Sequence, residues 1–378
     1  MIHSRPGAVI MIGAERASVP EKLLDRALRA AALDLAARLR AAGIEQIILA
    51  GPDLTGVPDG AGVHLDPDTE PFHFGGRLAG LIERHALSPA FYFGAGSAPL
   101  LSTISLTEAL TALEEAERAG IRLAVTNNLY SCDWLGLSQA REAAAVITRA
   151  TRDNGLAWSL QEHAAYRVQT ALAPDSAAQI DLDTPADLAL VRAHPACPPG
   201  LRRTLQDPLL DRVPVGALLD VLAQDGSRVA LFGRVAPAGW QALSRATRCW
   251  IRAFSEERGM AASERLARGE VRSLIAVLLR EIGPARFLDE LATMTDGAIF
   301  DTRVLMAASG RVPGTADRFA SDLLRPDWIA DPWLRDFTAA AQQAPIPLLL
   351  GGHGAVSGGL FALAEIVAER RARRQEYQ

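Results

Sequence analysis

One lysine, Lys22, stands among the 39 basic residues of this 378-residue chain, and every other fixed cation is an arginine. The two differ most at a phosphate group, where lysine is a compact, mobile point charge and arginine a planar fork. The place of the single ammonium group is therefore informative wherever it coincides with a site indicated on other grounds. Further residues able to do chemistry are grouped along the chain. QIDLDTPADL (179–188) carries Asp181 and Asp183 just ahead of a helix start, where carboxylates also suit the positive end of the helix. AVTNNLYSCDWLG (124–136) offers Asn127, Asn128 and Asp133 as acceptor contacts or as turn residues. LLLGGHGAVSGGLFALAE (348–365) holds five glycines between Gly351 and Gly359, with His353 and Ser357 among them. Such a loop either presents amides to an anion at a helix N-terminus or lets helices pack closely. It has no GK[ST], so it is not a Walker loop. Asp296, Asp301, Arg303, Asp317 and Arg318 line a cleft or lie on solvated helix faces. The seven histidines show no HExxH or other ligand spacing, and zinc is not indicated.

These residues need elements to hold them. GAVIMIG (7–13) reads as a buried strand, 21–42 as an amphipathic helix stopped by Gly43, and IEQIILAGPD (44–53) as a second strand. The alternation continues with strands at 62–66, from 89 and at 121–128, and helices at 76–85, 105–120 and 138–155. A strand over 177–183 then leads into a helix with Thr184 at the N-cap and Pro185 at N1. Short apolar strands alternating with helices predict a mostly parallel, three-layer α/β/α sheet. HPACPPG (194–200) reads as a linker, giving domains of 1–196 and 197–378. Beyond it the pattern is mainly helical, with apolar-periodic stretches at 238–258, 262–282, 284–296 and 358–374 and one strand at 228–235.

At Gly13 the pattern of strand, glycine, polar loop, lysine and long helix resembles the opening of the GT-A-like nucleotidyltransferases, and within them the molybdenum cofactor guanylyltransferases. Their loop has an arginine four positions after the glycine and a lysine nine after it; Gly13 to Lys22 keeps the second spacing. The resemblance implies that the loop amides of Gly13 and Ala14, together with Arg16 and Lys22, hold a triphosphate, with Lys22 stabilising charge at the attacked α-phosphoryl group. FHFGGRLAGLIERH (72–85) resembles the family's GPLAGL segment, so that Gly75, Gly76 and Gly80 would border base and ribose. FYFGAGSAPLLS (91–102) resembles GCDMPLL, with Ser97 where the family has a magnesium-binding aspartate. QIDLDTPADL matches the closing motif, which implies a Mg²⁺ ligand at Asp183 or Asp181. There are departures: Glu15 replaces a loop glycine, Arg16 stands one position early with Ala17 in its place, and Ser97 is not a carboxylate.

The resemblance spans about residues 7–195. It implies a protein that binds a nucleoside triphosphate or related phosphate ligand and transfers a nucleotidyl group to a phosphate or hydroxyl acceptor, releasing pyrophosphate. Two alternatives stay open: a degenerate, inactive nucleotide-binding regulatory or scaffold protein, and an enzyme whose site lies in the second domain. A net charge of −5 gives no footprint for nucleic acid. Apolar residues at 49% and charged ones at 22% fit a globular chain. No apolar run of 18 residues could span a bilayer. Three scattered cysteines fit a reducing cytoplasm. The second domain is expected to pack on the first or to mediate self-association.

Overall fold

A computed structural model describes residues 5–58, 62–69, 71–170 and 176–376. By its internal contacts the chain divides into two units. The first takes Met1–Glu15, Ala27–Ala173 and Pro198–Leu201; the second takes Arg16–Arg26, Pro174–Cys197 and Arg202–Gln378. In this division residues 174–197 are grouped with the second unit.

The first unit is built on seven strands: β1 (Arg5–Met11), β2 (Gln46–Gly51), β3 (His64–Pro67), β4 (Leu87–Gly94), β5 (Leu123–Thr126), β6 (Trp134–Leu137) and β7 (Arg167–Thr170). They lie in the order β3-β2-β1-β4-β6-β5-β7. Only β6 runs antiparallel to its neighbours, so the sheet is mostly parallel, as the alternating pattern predicts. Central strands carry near-continuous apolar runs because both faces are covered. Helices α1 (Val19–Ala41), α2 (Phe74–Arg84), α3 (Thr103–Arg118), α4 (Ala144–Ile147) and α5 (Leu156–Ala164) run beside the sheet. Val9, Ile48 and Tyr92 point toward Leu78 and Leu81 of α2 and Leu156 and Leu160 of α5. On the opposite face a side chain at Gly136 would strike Leu113 of α3 and Phe91. The single helix expected over 138–155 is broken instead. The chain turns after Ile147 so that the carbonyl of Ala150 accepts from Gly75 N (3.0 Å) and that of Asn154 from Cys132 N (3.0 Å).

The second unit holds helices α6 (Pro185–Ala193), α7 (Pro199–Thr204, which spans the boundary), α8 (Val215–Ala223), α9 (Pro237–Ala246), α10 (Leu274–Ile282), α11 (Pro284–Met294), α12 (Thr302–Ala308), α13 (Thr315–Asp322), α14 (Pro332–Gln343) and α15 (Gly358–Glu376). It is mainly helical, as expected, but also holds a four-stranded sheet where one strand was expected. Strands β8 (Arg228–Gly233), β9 (Trp250–Ser255), β10 (Gly297–Asp301) and β11 (Leu348–Gly351) pair in the order β11-β10-β8-β9, all parallel. β10 and β11 are runs of five and four residues, too short for periodicity to separate from a buried helix turn. β9 is an edge strand with an almost wholly exposed face pattern, so it carries no alternation. One face of the sheet packs Phe232, Phe300 and Leu350 on Leu279, Leu288 and Phe337. The strand expected over 177–183 is a short 3₁₀ turn, whose Ala177 amide donates to Glu365 (2.7 Å) rather than to a sheet. Among the described residues no helix is long and apolar enough to cross a membrane.

Candidate functional site

In an open parallel sheet, ligands favour the crevice beyond the carboxyl ends of strands where the chain reverses its direction of travel across the sheet. In the first unit that point lies between β1 and β4: the chain proceeds from β1 to β2 and β3 on one side, and β4 lies on the other. Ile12 N donates to Ala50 O (2.8 Å) and Ala95 N to Met11 O (2.9 Å), which fixes the strand ends. Beyond them Gly13, Ala14 and Glu15 are exposed, and their amides have no hydrogen-bond partner among the described residues. Nothing lies within 4 Å of where a Gly13 side chain would start. Ser97 comes to the same edge after β4. It is buried, its Oγ donates to Gly94 O (2.7 Å), and Ala98 follows with φ 49°. The hydroxyl is thus committed to its own turn. The sequence indicates Asp133 as an acceptor contact or a turn residue near a strand end, and does not indicate Tyr92 or Asp153. Because β6 is antiparallel, Asp133 at its start reaches this edge, where its carbonyl accepts from Gly94 N (3.4 Å) and its carboxylate from Asn127 Nδ2 (2.6 Å). Tyr92, on β4, donates to Asp153 (2.9 Å). The NN-x₄-D spacing was a usable signal for Asp133, whereas Asp153 had none.

The other expected site residues have separate settings. Gly75 faces the sheet's helix layer: a side chain there would overlap the carbonyl oxygen of Ile147, so its missing Cβ serves packing. Gly76 N is capped by His73 Nδ1 (3.1 Å), and Gly80 opens on free space. Both line a groove of about 340 Å³ with Asp68, Phe72, His73, Arg77 and Arg84. Arg77 is held by Asp66 (2.9 Å) and Asp68 (2.8 Å).

Arg16 and Lys22 fall in the second unit. Arg16 is engaged by Asp25, through its amide (2.7 Å) and its Nε (2.9 Å). Ser18 and Glu21 form a reciprocal cap at the start of α1: Ser18 N and Oγ donate to Glu21 Oε2 (3.1 and 2.6 Å). The helix therefore carries its own carboxylate at its positive end. Lys22 is exposed on that first turn and has no side-chain partner among the described residues.

Asp181 and Asp183 also lie in the second unit, ahead of α6. Asp181 accepts from Leu182 N (2.9 Å). Asp183 is exposed, and its amide donates to Asp187 Oδ2 (3.2 Å), which also accepts from the Thr184 hydroxyl (2.8 Å). Thr184 caps α6 as its sequence predicts. Asp187 has no exposed surface, and its Oδ1 has no hydrogen-bond partner among the described residues. Burial pushes its carboxyl up to about 8, with the charge of Asp183 adding to the effect. Among the described residues, the one cluster of three side chains able to hold a metal is His64, Asp66 and His85 in the first unit, which includes neither Asp181 nor Asp183. Its Asp66 carboxylate is already held by Arg77 and Arg84 (both 2.9 Å).

The second sheet has its own reversal point between β8 and β10, since β9 lies on one side of β8 and β10 on the other. Gly233 ends β8 at φ 100°, and a Cβ there would lie 2.6 Å from that of Asp301. Asp301 is fully buried and grips Arg234 (Nε to Oδ2, 2.5 Å). Arg303 forms a two-pronged pair with the buried Asp322 (2.6 Å for each arm). His353 stays solvent-accessible at the rim, where the packing around it and the charge of Arg234 lower its imidazole to about 4, leaving it neutral at physiological pH. The glycines of 351–359 resolve to close packing: a side chain at Gly354 would overlap Asp187, and one at Gly358 would lie 2.6 Å from Ile180 Cα.

No family model matches this sequence, and no curated protein matches it. Among solved structures it is similar to a presumed nucleotide-diphospho-sugar transferase from Desulfovibrio desulfuricans, with a TM-score of 0.37 and 10% identity. That match covers 50% of this chain and 87% of the other.

What the first edge can do chemically follows from its groups. Consecutive free amides next to a parallel strand suit an anion. A divalent cation of the kind the sequence resemblance implies needs hard oxygen donors, normally carboxylates. At 97 the chain offers a hydroxyl whose proton is committed to Gly94 O. The hydroxyl at 97 does not supply the carboxylate that such a cation needs there.

Proposed function

We propose that the first unit binds a nucleoside triphosphate or related phosphate ligand at the edge between β1 and β4, as a nucleotidyltransferase-like protein. One observation carries this reading: the exposed amides of Gly13, Ala14 and Glu15 stand at the strand-order reversal of a mostly parallel sheet. In the transfer reaction an acceptor phosphate or hydroxyl oxygen attacks the α-phosphorus, and the bond to the pyrophosphate leaving group breaks. The sequence resemblance assigns to Lys22 the offsetting of the charge that develops at the α-phosphorus. No step is assigned to a metal.

Ser97 favours a second reading, binding without turnover, because its hydroxyl is used by its own turn and Glu15 adds a carboxylate beside the loop amides. The three cysteines are free thiols, and burial raises that of Cys132 to about 12, which suits a reducing, cytoplasmic setting.

A thermal-shift panel of nucleoside triphosphates with and without Mg²⁺ or Mn²⁺ tests the proposal. Ligand at about 100 times its Kd should stabilise the protein by about 2.7 kcal/mol. A shift that needs the metal supports transfer, and a shift without it supports binding alone. No response to any nucleotide refutes both.

A further inference from the structure

The carboxyl edge of the second sheet gathers guanidinium groups, and one of them has no ion pair among the described residues. Three guanidinium groups belong to this corner of the second unit: Arg234, Arg303 and Arg318. Asp301 takes the first and Asp322 the second. Arg318, on α13, is half-buried and has no carboxylate partner among the described residues. Its Nη2 donates to Thr315 Oγ1 (3.0 Å), while its buried Nε has no acceptor among the described residues. Burial, and then the neighbouring charge of Arg303, lower its pKa, so the fold holds this cation against its own preference. Two carboxylates attract it from beyond ion-pair distance: Asp322, which is bound to Arg303, and Glu21, which accepts from the amide and hydroxyl of Ser18. The enclosed Asp187 carboxyl is neutral near pH 7.

A half-buried guanidinium beside a second one, with no carboxylate in ion-pair range among the described residues, is under-compensated in the free protein and gains when an anion arrives. Arginine also specifies the shape of that anion. Its fork presents two N–H groups in one plane, which matches two oxygens on one carbon or one phosphorus.

We infer that the second unit carries a binding site for a small oxyanion, the carboxylate or phosphate group of a small molecule, held by the fork of Arg318 beside Arg303. This site lies within the second unit and does not depend on the nucleotide proposal.

Isothermal titration calorimetry on the full chain, with inorganic phosphate and with malonate against chloride at matched ionic strength, tests it. At least one of the two should bind saturably at one site per chain. Phosphate alone identifies a phosphorylated ligand, and malonate alone a carboxylic acid. R318Q should weaken binding by about tenfold or more. It should also melt close to the parent, since its charge has no ion pair to lose. R318K keeps the charge without the fork and should weaken binding several-fold, which preserves the test if R318Q does not fold. The inference is overturned if neither anion binds better than chloride, or if R318Q or R318K binds like the parent. A nucleotide-induced thermal shift that survives in R318Q separates this site from the one proposed in the first unit.

Discussion

Replacing Asp187 by asparagine should make the protein progressively more stable than the parent as pH rises from 5 to 7.5. Asp187 has no exposed surface, its Oδ1 has no hydrogen-bond partner among the described residues, and burial lifts its carboxyl from 3.8 to about 8. The groups that act on it are Asp183, Asp322 and the Thr184 hydroxyl, and its own charge acts on Arg303. A carboxyl whose pKa is higher folded than unfolded contributes most below the unfolded value. Above about 4 the unfolded chain releases the proton while the folded chain keeps it, so stability falls until the folded carboxyl also ionises near 8. The slope is about 1.36 kcal/mol per pH unit, or about 3.4 kcal/mol between pH 5 and 7.5. Asparagine has nearly the same shape, and its Oδ1 can still accept from the Thr184 hydroxyl and the Asp183 amide, but it does not titrate. Chemical denaturation of both proteins at several pH values measures the difference, in which titrations common to both cancel. A D187N-minus-parent difference that stays flat with pH, within about 1 kcal/mol, would falsify the claim that this carboxyl is folded away uncharged.

Two substitutions on α2 should behave oppositely. Gly75→Ala forces a methyl group into the carbonyl of Ile147 and should destabilise by about 1–3 kcal/mol, whereas Gly80→Ala enters open space and should stabilise by about 0.5–1 kcal/mol. Equal melting temperatures for the two variants would contradict the packing described. Lys22→Arg should leave the melting temperature unchanged, because Lys22 is exposed, but should reduce the nucleotide-induced shift; an undiminished shift would remove Lys22 from the proposed site.

Much of the first unit could be read directly from the chain because its parallel strands are buried on both faces. β2 and β5 lie within the apolar runs that predict them, β1 and β4 begin two residues ahead of theirs, and α1 and α3 start and stop within two residues of expectation. β6 was hidden in a turn-rich segment, and its central Gly136 exists because Leu113 and Phe91 fill the space of a side chain. The second sheet was missed for a different reason. Its identity rests on pairing between short runs some 50 to 70 residues apart in sequence, such as β8 with β10 and β10 with β11, and local periodicity carries no record of that. The same limit applied to the charges. Asp301, Arg303 and Arg318 do gather at a strand edge, but Asp296 pairs with Arg228 and Asp317 accepts from the Ala330 and Asp331 amides. Composition could not have sorted these roles.

The motif that matched most specifically on sequence, Thr184-Pro185-Ala186-Asp187, has its clearest physical account in local structure. Thr184 takes the N-cap, Pro185 occupies the first helical position where no amide is needed, and Asp187 lies under Thr184 at the fourth residue of the motif. Helix capping alone would tolerate an exposed Asp187, yet here the carboxyl is sealed against Gly354. The arginines show the same contrast. Arg234 and Arg303 each use a fork that lysine could not reproduce, so part of the chain's preference for arginine is structural at these positions. Neither Lys22 nor Arg318 is explained in that way, since neither has a carboxylate partner among the described residues. An exposed lysine costs the fold almost nothing and says little without its ligand. A half-buried arginine beside another arginine carries a standing electrostatic penalty, and this makes Arg318 the stronger mark of a missing anion.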